Sequence, residues 1–183
     1  MAIIQSNMQR IDEDNLFEGI EIKPQKQNIA TPSELLIACE IRDFPVDLNK
    51  ILLHLDLSLE EVHLENEISG VLDIKKQVIY VEKDHSQPRK NFTIAHELGH
   101  YCMHQDVSDI FEDKIFLRTS NSLDIYESQA NKFAAELLMP RDIFMKIIKE
   151  DVDTIEKLSE YFNVSTLAVR VRAKQLNLKG HGL

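Results

Sequence analysis

Residues 91–104 run Asn91-Phe92-Thr93-Ile94-Ala95-His96-Glu97-Leu98-Gly99-His100-Tyr101-Cys102-Met103-His104. The centre, His96 to His100, is H-E-x-x-H. On a helix, His96 and His100 are one turn apart and leave the same face. That spacing lets two neutral imidazole nitrogens bind one Zn2+. Glu97, one residue on, reaches the edge of that face, where it can take a proton from a water activated by the metal. The alternative is an exposed helix with two surface histidines. Phe92, Ile94, Ala95 and Leu98 count against it, because they predict a largely buried helix. Buried His and Glu side chains require partners.

A structural zinc is closed by four protein ligands, whereas a catalytic zinc keeps one position for water. A third ligand is therefore expected elsewhere, and Glu127 is the candidate. Tyr126, Ala130, Phe133, Ala134, Leu137 and Leu138 recur around it at helical spacing, and Pro140 stops the helix. Ala130 and Ala134 put small side chains beside Glu127, so two helices can approach closely. The alternative is a solvated first-turn Glu favoured by the helix dipole. The pattern by itself leaves both open.

Two longer patterns go further. R-x-x-F-T-x-A-H-E-x-G-H spans Arg89, Phe92, Thr93, Ala95, His96, Glu97, Gly99 and His100. E-x-x-A-N-x-F-A-A-x-L-L-M-P spans Glu127, Ala130, Asn131, Phe133, Ala134, Ala135, Leu137, Leu138, Met139 and Pro140. Together they resemble the ImmA/IrrE family of zinc metallopeptidases. The resemblance extends upstream through Ile68-Ser69-Gly70 and Val78-Ile79-Tyr80-Val81, and covers residues 45 to 175. It implies His96, His100 and Glu127 as zinc ligands and Glu97 as catalytic base. It also implies a substrate class, helix-turn-helix transcriptional repressors, cleaved to release the genes they silence.

Composition sets the bounds. At 183 residues, with 43% hydrophobic residues, the chain can build one compact domain or one domain with an appendage. A net charge of −10 opposes phosphate binding by the chain as a whole and suits a basic partner. Only Cys39 and Cys102 are present, without a C-x-x-C, which excludes a disulfide framework and predicts a cytoplasmic setting. Cys102 is expected as a buried free thiol on the side of the helix away from His100. No apolar run approaches the ~20 residues of a membrane span. Residues 1–10 lack the basic region and apolar block of a signal peptide.

Along the chain, residues 1–30 form an irregular, acidic arm with a short strand expected near Ile20 to Ile22. Thr31-Pro32-Ser33-Glu34 starts a helix, with Thr31 as cap and Pro32 at the first position. A second amphipathic helix runs from Asp47 to Leu57, with Leu48, Ile51, Leu52 and Leu55 on one face. Leu59 to Leu64 is a short strand. Gly70 to Ile74 and Gln77 to Glu82 form a hairpin around Lys75-Lys76, with a register that no Asn-Gly turn fixes. His54 and His63 read as surface or core-edge residues, and His85 as a loop residue near the site. Gln105 to Leu123 has no regular pattern. Asp106, Asp109, Glu112 and Asp113 within it match no calcium loop and read as a solvated acidic face. Arg141 to Lys149 is a further short helix.

The C-terminal segment has two capped helices. Thr154 caps Ile155 to Phe162, Asn163-Val164 turns, and Ser165 caps Thr166 to Leu176, a helix-turn-helix-like unit. Lys157, Arg170, Arg172, Lys174 and Lys179 against Glu156 and Glu160 give the segment a net of +3. One reading is nucleic-acid or partner binding. The other, which the bulk charge favours, is a helical pair packed beside the core with a solvated basic edge.

The expected architecture is α+β: a mainly helical zincin-like core (residues 31–150) with a small antiparallel sheet, an N-terminal arm (1–30) and a C-terminal helical segment (151–183). The expected activity is zinc-dependent endopeptidase chemistry on a protein substrate, with no membrane partner and no direct nucleic-acid binding. The oxyanion of the tetrahedral intermediate needs a donor. His104, Tyr101 and Tyr126 are the candidates, each with a supporting role behind the ligands as its alternative. The rival class is a non-proteolytic regulator that uses the metal fold and its C-terminal helices to bind DNA or a repressor. Zinc as a purely structural staple is a third reading, against which the presence of Glu97 argues.

Overall fold

The computed structural model describes residues 31–65, 67–114, 123–150, 152 and 154–178. The N-terminal arm and the Lys179 to Leu183 end lie outside the described residues.

Local signals set most element boundaries. Helix α1, Pro32–Ala38, begins with a complete capping box: Thr31 Oγ1 accepts from the Glu34 amide at 3.3 Å, and Glu34 Oε2 accepts from the Thr31 amide at 3.1 Å. Helix α2, Leu48–His54, is capped by Asp47, whose carboxylate accepts from the Asn49 amide at 3.1 Å. It stops short of Leu57, whose amide donates to the Leu52 carbonyl at 2.9 Å just before strand β1, Ser58–Val62. Strands β2, Ile68–Asp73, and β3, Val78–Glu82, form the expected hairpin. Its register is fixed without Asn-Gly. Asp73 Oδ1 accepts from the Lys76 amide at 3.0 Å, and Gln77 takes the left-handed conformation at φ 56°.

The sheet has the order β1-β3-β2-β4, with β4 being Ile110–Lys114. The β2–β3 pair is antiparallel, as expected; β2 also pairs antiparallel with β4, and β1 pairs with β3 in parallel. The sheet is therefore mixed. The parallel pair arises because β1 and β3 are separated by the whole of β2, which takes the chain back across the sheet. Strand β4 lies inside the acidic stretch that shows no pattern in sequence. Among the described residues it is an edge strand paired only to β2, and its burial contribution is largely one side chain, Phe111.

Helix α3, Gln87–Met103, lies over this sheet and packs on α4, Leu123–Leu138. The α3–α4 approach is close for the reason the alanines indicate. A Cβ built on Gly99 would meet Ala130 Cα at 3.1 Å and Phe133 Cβ at 3.2 Å. The core joins Leu98 of α3, Leu72, Ile79 and Val81 of the sheet, and Phe133, Ala134 and Leu137 of α4.

Helices α5, Arg141–Lys149, α6, Ile155–Phe162, and α7, Thr166–Gln175, complete the described chain. Thr154 and Ser165 cap α6 and α7 as expected, and Asn163 turns between them at φ 50°. The pair joins the same core. Phe162 stacks on Phe144 of α5 with ring centroids 5.7 Å apart, and Leu158, Val164 and Val169 are fully buried. Asn91 of α3 donates to the Asn163 carbonyl at 3.0 Å. Arg172, counted with the basic edge in the sequence, is instead buried. Its Nε donates to the Met139 carbonyl at 2.9 Å and its guanidinium pairs with Glu136 of α4.

Candidate metal centre

Helix α3 carries His96 and His100 on the face that meets α4, and Glu127 comes from the first turns of α4. Both imidazoles are 1% exposed, whereas the Glu127 side chain is 36% exposed, so the cluster reaches solvent on the Glu127 side. His96 Nε2 and His100 Nε2 lie 3.1 Å apart. Glu127 Oε2 is 3.1 Å from the first and Glu127 Oε1 is 3.2 Å from the second. Three residues thus form a compact triangle, with two imidazole nitrogens and the two oxygens of one carboxylate as its candidate ligand atoms. In tetrahedral zinc, ligands at 2.0–2.1 Å are themselves about 3.3 Å apart.

The hydrogen bonds behind the rings favour that reading. His96 Nδ1 faces Asn131 Oδ1 at 3.2 Å, so Nδ1 is the donor and Nε2 is left for the cluster. His100 Nδ1 faces His104 Nδ1 at 3.0 Å, and Phe111 stacks on the His100 ring with centroids 4.4 Å apart. The triangle's electrostatics are those of acceptors sharing a positive charge. Burial pushes His96 down, but the Glu127 hydrogen bond and the charges of Glu97, Asp113 and Glu127 outweigh it and lift it to about 9. Burial also lowers His100, against the pull of Glu127. Glu127 is drawn down to about 2: burial opposes ionisation, and the hydrogen bonds to His100 and His96 overcome it.

Glu97 is fully buried, and neither carboxylate oxygen has a hydrogen-bond partner among the described residues. Burial pushes it up to about 8. An orphaned carboxylate normally costs several kcal/mol. It is tolerable beside a cation that holds water, and the donor set next to it is the one zinc takes. The residues fit the metal.

The three candidates for the oxyanion fall elsewhere. His104 is 3% exposed and both its nitrogens are engaged, Nδ1 with His100 and Nε2 with Gln129 Oε1 at 2.8 Å. It therefore stands behind His100 and cannot donate to a bound substrate. Tyr126 sets its ring edge on His104, with centroids 4.9 Å apart. Tyr101 is 3% exposed within the apolar core. Gln129 and Asn131 were not singled out as partners in the sequence. Each meets a side chain of α3 across the helix pair, which spacing within α4 does not show.

Other expectations find their places. His54 and His63 are exposed. His63 Nδ1 lies 3.5 Å from Glu82 and 3.3 Å from Asp84, but Glu82 already accepts from the Leu64 and Asp84 amides. His85 is half-buried, and its Nδ1 has no partner among the described residues. Asp109 pairs with Lys75 at 2.5 Å on the exposed face expected of the acidic stretch. Cys39 and Cys102 are free and half-buried, and burial pushes the Cys102 thiol up to about 12.

The family described as Peptidase_M78, IrrE N-terminal-like domain, matches residues 51–174, more than half of the chain. The chain belongs to this family. It is also similar to the "Uncharacterized immunity region protein 2" of Bacillus phage phi105, 33% identical over 89 residues, 48% of this chain and 54% of that protein. The chain thus spans about half the length of the curated relative it matches. No helix among the described residues is long and apolar enough to cross a membrane.

Proposed function

We propose that this chain is a zinc-dependent endopeptidase in which His96 Nε2, His100 Nε2 and the Glu127 carboxylate hold the metal and Glu97 is the general base. The observation that carries the proposal is the convergence of two imidazole nitrogens and the two Glu127 carboxylate oxygens, with contacts of 3.1–3.2 Å, beside a buried carboxylate with no partner among the described residues. Zinc bound there supplies Lewis acidity, making water nucleophilic at neutral pH and polarising a peptide carbonyl. Glu97 accepts the proton of the attacking water at a carboxylate oxygen and returns it to the leaving amine. Its environment suits both transfers, because a carboxyl held above its usual range binds a proton readily and a neighbouring cation restores the ionised form. Asn131 orients His96. The apolar packing around His100, Phe111 above all, keeps bulk water from the inner side of the cluster.

The proposed substrate class is helix-turn-helix transcriptional repressors, in a cytoplasmic setting. The resemblance of the two long motifs supports it, and the relative described as an immunity region protein is in keeping with it. The rival reading, a regulator that binds without cleaving, draws on the exposed cations Arg170 and Lys174 of α7. The test is incubation with the helix-turn-helix protein encoded beside it, followed by mass spectrometry. A single cut that a chelator abolishes, and that Glu97→Gln slows by orders of magnitude with zinc still bound, is the expected result. Full activity in Glu97→Gln would rule out its role as base.

A further inference from the structure

We propose that Gln129 and His104 form a two-step relay that sets the tautomer of His100 and so gates metal uptake at the triangle. The inference rests on the metal site proposed above. Gln129 Oε1 is 2.8 Å from His104 Nε2, and His104 Nδ1 is 3.0 Å from His100 Nδ1. His104 is buried and its ring is fixed between Tyr126 and the His100 ring. Gln129 rides on α4 two residues after Glu127, so ligand and anchor move together.

A neutral imidazole has one donor and one acceptor, so the relay has two polarities. In the first, Gln129 Oε1 accepts from His104 Nε2–H, and His104 Nδ1 accepts from His100 Nδ1–H. His100 Nε2 is then a bare lone pair aimed at the cluster. In the second, the Gln129 amide is turned over and its NH2 donates to His104 Nε2. His104 Nδ1–H then donates to His100 Nδ1, and a proton sits on His100 Nε2, where the metal must bind. Only the first polarity accepts a cation. His96 differs, since Asn131 anchors it in one step. Gln129 is exposed, so its amide can turn at little steric cost. The relay is thus an adjustable element, and residue 129 sets its bias. A carboxylate there can only accept, which enforces the first polarity. An ammonium can only donate, which enforces the second.

The test is zinc affinity of the full chain, by competition with a chromophoric chelator, with thermal melting as a check on folding. His104→Leu removes the acceptor for His100 and should weaken zinc binding about 10- to 100-fold. His104→Asn places an oxygen near the Nδ1 position and should recover most of that loss. Gln129→Glu should bind zinc more tightly than wild type and Gln129→Lys more weakly. Ser128→Glu and Ser128→Lys, on the exposed neighbouring position, control for charge alone. In the zinc-loaded wild type, long-range nitrogen–proton NMR should show His104 with its proton on Nε2. Wild-type affinity in His104→Leu, or effects at 129 equal to those at 128, would overturn the relay while leaving the metal site intact. So would a His104 proton on Nδ1. If Gln129→Lys alone melts early, His104→Asn against His104→Leu still decides. Failure of the wild type to take up zinc would remove the metal site itself and the relay with it.

Discussion

Gly70 of β2 lies directly under Glu97 of α3: a Cβ at residue 70 would come within 3.0 Å of Glu97 Oε1 and 2.4 Å of Thr93 Cγ2. The backbone of β2 thereby forms one wall of the space that the carboxylate occupies. Gly70→Ala should cost about 1–3 kcal/mol of stability through overpacking. It should also lower kcat by displacing Glu97. Gly70→Ala combined with Thr93→Ser removes the closer clash and leaves the one at Glu97. The double variant should regain stability more fully than activity, as seen by comparing denaturant midpoints with turnover. Equal recovery of both would mean that Gly70 serves packing alone.

Gly99 has the corresponding position between α3 and α4. Its added Cβ would meet Ala130 Cα at 3.1 Å and the Ala130 carbonyl at 3.3 Å, which are backbone atoms that cannot rotate away. Gly99→Ala must therefore part the helices. His96 and His100 ride on one and Glu127 on the other, so the donor triangle should widen. We expect a loss of about 1–3 kcal/mol in stability together with weaker zinc binding. A variant as unstable but with unchanged zinc affinity would show that the triangle adjusts independently of helix spacing.

Much of this was legible because the informative residues sit on long elements with strong local signals. The Thr31, Thr154 and Ser165 caps and the apolar faces of α2 and α4 place their helices within a few residues. His96, Glu97 and His100 are fixed by spacing on one helix. Glu127 was only a candidate from pattern, because whether a first-turn Glu faces solvent or a partner helix is a tertiary property. The same limit hid three further features. Strand β4 has no local signal, since its pairing with β2 is what makes it a strand. The parallel β1–β3 pair depends on how the chain returns across the sheet. Arg172 is charged and was counted among solvated basic residues, yet the Met139 carbonyl and Glu136 give it a buried berth. The Gln129–His104 contact joins two elements, so spacing within either could not show it.

Metal removal gives a prediction about stability as well as activity. Ligand that binds only the folded state stabilises it by RT ln(1 + [L]/Kd), about 2.7 kcal/mol at a hundredfold excess over Kd. A chelator should therefore lower the melting temperature of the wild type by several degrees. The same chelator should leave His100→Ala and Glu127→Ala unmoved, since neither should hold zinc at about one per chain. Glu97→Gln should respond as the wild type does, because the proposed mechanism makes Glu97 the base and not a ligand. Should Glu127→Ala keep full zinc occupancy, the third ligand would have to be another carboxylate, with the Asp106 to Asp113 run the first place to look.

The C-terminal helices separate the protease from its rival. Of the basic residues on α7, Arg172 is 3% exposed, while Arg170 and Lys174 are exposed and have no ion pair among the described residues. These sites should respond differently. Arg172→Ala strands the Met139 carbonyl and removes the partner of Glu136. It should destabilise by about 2 kcal/mol or more, with Glu136 partly exposed to solvent keeping it below the full cost of a broken buried pair. Arg170→Glu with Lys174→Glu should change stability by less than about 0.5 kcal/mol. On the protease reading this double reversal alters cleavage of a repressor, because it changes the surface beside which the substrate docks. DNA binding should be absent before and after. On the regulator reading it abolishes specific DNA binding, whose affinity in the wild type would fall steeply with salt as counterions are released. With only two cations on the helix free of ion pairs among the described residues and a net charge of −10, few phosphates can be neutralised. Anisotropy titration against the operator region of the neighbouring genes should show no specific binding below micromolar protein. Tight, sequence-specific, salt-sensitive binding by the wild type, lost in the double reversal, would reverse the order of the two readings.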